Sequence, residues 1–169
     1  CDRSACRAAS VAGDVYVMEV AEKQSTELEI PMLERVKNLQ AELSKLPQYE
    51  PLTKHTFHGG MYCREVYREA GVLVVGKVHK KEHFYLIAGG TVAITTDDGV
   101  QEVTGPCLIK CKPGTKRAVY AMTDTLCMTF HATNAKTVEE AEAELVEDDP
   151  DSTYAAGNKV KPELLEVLI

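Results

Sequence analysis

Two imidazoles stand four residues apart in the run Lys77-Val78-His79-Lys80-Lys81-Glu82-His83, and a third, His131, ends the stretch Leu126–His131. Neutral imidazole is a common metal ligand and one of the few groups that exchanges protons near neutral pH. If Leu126–His131 is a strand, Cys127, Thr129 and His131 share one face, which could bring His131 near His79 and His83. Three such ligands with an open position would suit zinc, nickel or iron. The alternative is a set of histidines hydrogen-bonded inside or beside a folded core, with no metal. Lys77 and Arg117 flank the same region. A guanidinium cannot ligate a metal, but its donor fork and the lysine point charge suit an anion. Lys77 and Arg117 are therefore the anion-binding candidates, and His79, His83 and His131 the metal candidates.

Other polar residues carry less. Glu82 would face away from His83 in a strand and reads as a surface partner of Lys80 or Lys81. His55 and His58 lie in a glycine-ended stretch and read as ordinary polar loop residues, and Lys110–Lys112 with Lys116–Arg117 reads as a solvated basic rim. No tyrosine has an adjacent base, and there is no glycine-rich phosphate loop, G-x-S-x-G elbow or H-E-x-x-H helix. No residue is assigned a catalytic role, and the balance leans away from an enzyme.

The elements that must position these groups follow from periodicity. Residues 1–26 show no sustained period and are expected to form an arm. Over 27–50, Met32, Leu33, Val36, Leu39, Leu43 and Leu46 recur at helical steps between Pro31 and Pro47, giving an amphipathic helix and a linker. That helix either packs on the rest of the fold or contacts a second subunit. From 51 to 133 short runs rich in Val, Ile, Tyr and Thr predict strands at Met61–Glu69, Val72–Val78, His83–Ile87, Thr91–Thr96, Val100–Val103, Cys107–Cys111, Arg117–Met122 and Leu126–His131. Asp97-Asp98-Gly99 signals a hairpin. Eight closely spaced strands point to a barrel or double-sheet jelly roll, which disposes of exposed edges. In 134–169, Thr137-Val138-Glu139-Glu140 reads as a capping box opening a short acidic helix. An apolar tail after Pro162 is expected to dock on its own barrel or on a neighbour.

Bulk properties narrow the partners. The 169 residues, 44% hydrophobic, suffice for one core. A net charge of −7 argues against specific nucleic-acid binding and against an anionic membrane surface. No apolar run approaches a bilayer span, so a soluble protein is the expectation. The six cysteines are too sparse for a disulfide scaffold, and Cys107 and Cys111 would stand about 13 Å apart along a strand, too far to bridge. Because the chain opens on Cys1, residues upstream remain possible.

Residues of about 61–132 resemble the barrel of the cupin superfamily. Against its first motif, G-x5-H-x-H-x3,4-E-x6-G, His79 takes the second histidine position, His83 the glutamate position and Gly90 the closing glycine, while Lys77 falls where the first histidine belongs. Against its second, G-x5-P-x-G-x2-H-x3-N, Gly114 matches the glycine, Arg117 falls at the histidine, and Lys112 and Ala121 replace proline and asparagine. The resemblance implies a mainly β, cupin-type jelly-roll barrel, here with an N-terminal arm, an amphipathic helix and a short C-terminal helix. It implies either no cofactor or one divalent metal of unassigned identity. Gly76–His83, Lys112–Arg117 and Thr129-Phe130-His131 further resemble small cupin-like proteins of tailed bacteriophages, over about residues 50–148. That likeness implies a non-enzymatic structural or assembly protein, a virion component forming homo-oligomers and contacting other virion proteins, located in the virion or the host cytoplasm. The alternatives are a metal-dependent cupin enzyme of the isomerase or oxygenase type and a small-anion-binding cupin.

Overall fold

The computed structural model describes residues 30–96 and 98–165. The expected arm, Cys1, Cys6 and the last four residues of the tail lie outside them. Helix α1 spans Met32–Leu43 and is followed by nine strands: β1 Leu52–His58, β2 Met61–Arg68, β3 Leu73–Val75, β4 His83–Gly89, β5 Thr91–Thr96, β6 Gly99–Thr104, β7 Cys107–Cys111, β8 Ala118–Ala121 and β9 Thr125–Ala132. Helix α2, Val138–Leu145, a 3-10 turn at Ala156–Asn158 and a short helix α3, Pro162–Leu165, complete the described chain. The strands form two antiparallel sheets, ordered β1-β2-β9-β4-β7 and β3-β8-β5-β6. The protein is thus mainly β, a jelly-roll barrel with short helices.

Alternation along the strands builds the core. Tyr85, Ile87, Val92, Ile94, Cys111, Val119 and Cys127 meet between the sheets. Ile87 and Ile94 are wholly buried, and each such side chain contributes about 1.5–3 kcal/mol through removal from water. Between β4 and β5 the chain reverses at Gly90, with φ +82°, where an added Cβ would stand 2.2 Å from the Asp124 carbonyl oxygen. Only glycine fits that backbone and that space. Strands β5 and β6 pair antiparallel up to Thr96 and Gly99, as the hairpin expectation requires.

The helices pack on this barrel. Val36 of α1 is buried against Val75 and Ala118, with Met32, Leu39, Leu43 and Leu73 around it. The amphipathic helix thus covers the second sheet. Helix α2 sets Ala141 and Leu145 against Tyr62 and Phe57, and the Thr137 side chain caps it by accepting from the Glu140 N–H. After α2 the chain docks on its own barrel: Tyr154 and Val160 are buried, and the Tyr154 hydroxyl donates to the Tyr49 carbonyl at 2.7 Å.

Three local expectations need correction. His55 and His58 lie on β1, a strand paired with β2 throughout, not in a loop. The strand expected over Val72–Val78 is only Leu73–Val75, because the backbone beyond it turns to meet the Gly114–Arg117 segment. Lys116 belongs to no solvated rim: its ammonium is buried and donates to Asp149 at 2.7 Å, tying the turn before β8 to the segment after α2. Among the described residues no helix is long and apolar enough to cross a membrane.

Candidate functional site

The first step is the placement of His79, which lies between β3 and β4 and has no long strand to hold it. Two neighbouring segments clamp its backbone. On one side the Gly114 N–H donates to the His79 carbonyl at 2.8 Å and the His79 N–H to the Thr115 carbonyl at 3.1 Å. Gly114 has φ +80°, which makes this close turn possible. On the other side His79 bridges Val146, flanked by Lys80 N–H to Leu145 carbonyl (2.8 Å) and Glu147 N–H to Val78 carbonyl (2.9 Å). The Lys112–Arg117 turn and the end of α2 therefore position one imidazole together.

His83 opens β4 and His131 lies on β9, both facing inward. The three rings gather at one end of the barrel: His79–His83 centroids are 4.0 Å apart, His83–His131 4.7 Å and His79–His131 5.2 Å. His83 and His131 are 8% and 2% exposed. Burial drives the imidazoles toward neutrality, holding His131 down at about 3 and His79 and His83 below the usual histidine range. The neighbouring imidazoles and the Arg64 guanidinium push the same way on His79 and His131, while the Lys81 carbonyl partly opposes the shift at His83. Neutral imidazole is the form that binds metal.

Donor chemistry fits a divalent metal, and so do the His83–His131 and His79–His131 spacings, while His79 and His83 at 4.0 Å stand closer than shared coordination sets them. Imidazoles bound to one ion at about 2.1 Å have ring centroids roughly 4.5 to 5.5 Å apart. Nε2 of His79 and Nδ1 of His131 are buried without a hydrogen-bond partner, as donors reserved for a ligand would be. Orientation is the incomplete part. Among the described residues no three His, Cys, Asp or Glu groups already surround one point. The His83 and His131 ring planes are 22° apart, and as placed the three rings do not aim their nitrogens at one point. Rotation of one ring would be required.

Beneath the rings is a cavity of about 80 Å³ whose lining includes Arg64, Arg68, Lys77, Arg117 and Glu142. Lys77 and Arg117 both reach it, but each has a protein partner. The Lys77 ammonium lies 3.3 Å from the Glu142 carboxylate. Arg117 Nη1 donates to the Thr95 carbonyl at 2.7 Å and Nη2 lies 3.6 Å from Cys111 Sγ. Glu142 also receives the Gly157 N–H at 2.9 Å and lies 3.7 Å from Arg64.

Arg64, Arg68 and Glu142 were not anticipated as site residues. On β2 the inward residues Tyr62 and Val66 alternate with them, so period two places Arg64 and Arg68 on the same face. Glu142 falls on the buried side of α2, next to Ala141 and one turn from Leu145. Glu82 is exposed, as expected of a surface residue, but it is not the partner of Lys80 or Lys81: Lys81 pairs with Glu144 and Lys80 donates to the Ala143 carbonyl. His55 accepts from or donates to the Tyr62 hydroxyl at 2.7 Å, outside the triad.

No family model matches the chain, and no curated protein matches it. Among solved structures it is similar to the cupin domain of an XRE-family transcriptional regulator from Enterobacter cloacae, at 9% identity and TM-score 0.42 over 48% of this chain and 95% of that one. A cupin-superfamily protein from Desulfitobacterium hafniense gives 14% identity and TM-score 0.44 over 65% and 94%. Salicylate 1,2-dioxygenase from Pseudaminobacter salicylatoxidans gives 10% and 0.48 over 67% of this chain and 35% of that one. Two of these three neighbours are named as cupins, one of them a domain of a regulator, and the third is named as an enzyme.

Proposed function

We propose that the chain is a small-ligand-binding barrel in which His79, His83 and His131 hold one divalent metal at the mouth of the cavity. The observation that carries this reading is the gathering of three imidazoles from separate segments, His83 and His131 buried and His79 half-buried, two of them with an unpartnered ring nitrogen. A packing role alone would favour apolar side chains there, because unpartnered buried polar atoms are unfavourable. A bound metal would supply Lewis-acid polarisation of a ligand oxygen. The chain's own groups would orient that ligand: Arg117 and Lys77 present positive charge, and the clamp on His79 fixes the mouth. Protein produced in metal-replete medium is expected to carry about one zinc, nickel, iron or related ion per chain. His79→Ala should reduce that content at least about tenfold, the scale on which even supporting groups affect metal affinity. Metal content at background in the wild type would overturn the reading.

A second reading, assembly with other copies or with a virion lattice, has its own support. The outer face of the five-stranded sheet exposes a row from Leu52 through Tyr67 to Leu126, with Phe84 and Leu108 nearby on the same sheet. Leu52 is 74% exposed, and contiguous apolar surface of this kind marks interaction sites. Native mass measurement is expected to show an oligomer that Leu52→Glu with Leu108→Lys dissociates. A monomer at micromolar concentration would remove this reading and leave the metal site untouched.

A further inference from the structure

The cavity contains a positive charge that the described fold leaves without a counter-ion. Arg68, the last residue of β2, is 7% exposed and lines the cavity. Its Nη1 lies 3.5 Å from the Tyr85 hydroxyl, the Cys127 thiol is its other neighbour, and its Nε is buried without a partner. Among the described residues, the ion pairs in this cavity run from Glu142 to Arg64 and Lys77, and none reaches Arg68. A guanidinium keeps its charge at any physiological pH. Burying that charge without an anion is strongly unfavourable, and a methionine or leucine would fill the volume better.

Register shows where the missing anion belongs. Arg64, Thr129 and Tyr85 stand opposite one another across β2, β9 and β4. Tyr62 and His131 form the adjacent inward row, two residues away, or about 7 Å along the strands. The Arg68 guanidinium lies beside Cys127 of the intervening row and reaches the Tyr85 hydroxyl, so it extends from the end of β2 toward this lower row. Arg64 Nε and Thr129 Oγ1 are also buried without partners there. Four orphaned donors, Arg64 Nε, Arg68 Nε, Arg117 Nε and Thr129 Oγ1, line one cavity directly beneath the histidines.

We propose that this cavity binds a small organic carboxylate, its head held by Arg68 and Thr129 and its other end directed toward the histidine row. The proposal rests on reading the cavity as a ligand site but requires no metal. A planar carboxylate matches a guanidinium fork. The walls Val66, Val75 and Val119 suit a short carbon skeleton, and about 80 Å³ limits it to a small acid. The second charge of a phosphate would have to be met by Arg64 or Arg117. Arg64 already faces Glu142, and Arg117 is held by the Thr95 carbonyl through Nη1, which leaves its Nε as the one further donor for a second charge, so phosphate and sulfate are titrated beside the acids.

The test uses chelator-treated full-length protein, titrated calorimetrically with acetate, pyruvate, succinate and benzoate, and with inorganic phosphate and sulfate in parallel. At least one carboxylate should bind saturably and raise Tm, with Arg68→Lys weakening it about tenfold or more through loss of the fork. Arg68→Met should abolish binding yet melt no lower than unliganded wild type, because it removes an uncompensated buried charge. A structural arginine would give the opposite melting result, which overturns the proposal. So would absence of binding by all four acids, or phosphate and sulfate binding as tightly as the best acid. Failure of the metal reading is seen separately, in metal content, and leaves carboxylate binding to the metal-free protein intact.

Discussion

Replacing Glu142 with leucine is expected to destabilise the protein by about 3 kcal/mol, the scale of breaking a buried ion pair while its cationic partner remains. The carboxylate is 9% exposed and faces Lys77 at 3.3 Å and Arg64 at 3.7 Å, with side chains 22% and 15% exposed. It also satisfies the Gly157 N–H at 2.9 Å. One substitution therefore strands two cations and one backbone donor. For a chain of this length the loss corresponds to a Tm decrease of roughly 6–12 °C. Glu142→Gln keeps an acceptor for Gly157 and should fall between the two. Because Glu142 joins α2 to β2 and to the segment beyond β3, limited proteolysis should cut the Glu147–Lys161 region first in the leucine variant. A melting temperature within a degree of wild type would show that water already solvates both cations and that Glu142 is not their structural counter-ion.

The ease with which each element is read from sequence follows its burial. Strands β5 and β7 match their expected bounds because Val92 and Ile94, and Cys107 and Cys111, alternate buried positions with more exposed ones. Strand β1 escapes notice because it is an edge strand. None of its seven residues is fully buried, so Leu52-Thr53-Lys54-His55-Thr56-Phe57-His58 carries no apolar alternation. His83 and His131 were legible because each follows from one strand's phase, whereas His79 lies between strands and was legible only from its spacing to His83. Glu142 was not, since its role arises when α2 folds back over β2 and the His79 segment, and acidic residues crowd that whole stretch. Arg68 was hidden differently: period two places it inward, but an inward arginine with no carboxylate opposite is visible only once all the barrel strands are assembled. Lys116 illustrates the same limit. In sequence it belongs to a basic cluster, and only the docking of Asp149 converts it to a buried pair.

Metal-free protein is expected to lose about 3 kcal/mol of stability as pH falls from 6.5 to 5, about 1.6 kcal/mol from each of His79 and His131. Both have folded-state affinities for protons far below the unfolded value of 6.5, with His131 at about 3. In that window the unfolded chain takes up protons that the folded chain refuses, so stability falls with pH by about 1.4 kcal/mol per unit for each group. Above about pH 7.5 both states carry neutral imidazole and the dependence vanishes. His83 and His55 are shifted the same way by burial and add to the slope. Carboxylates do not account for this window: Glu50, Glu144 and Asp149 are all held below their ordinary 4.5 or 3.8, so their contributions are lost only at lower pH. Denaturant midpoints measured between about pH 7.5 and 5 check the expectation. His131→Asn should remove roughly half of the combined His79 and His131 slope, whereas His58→Asn, on the edge strand outside the triad, should leave it unchanged. A wild type equally stable across that range would mean that the imidazoles accept protons in place, and that water rather than protein surrounds them.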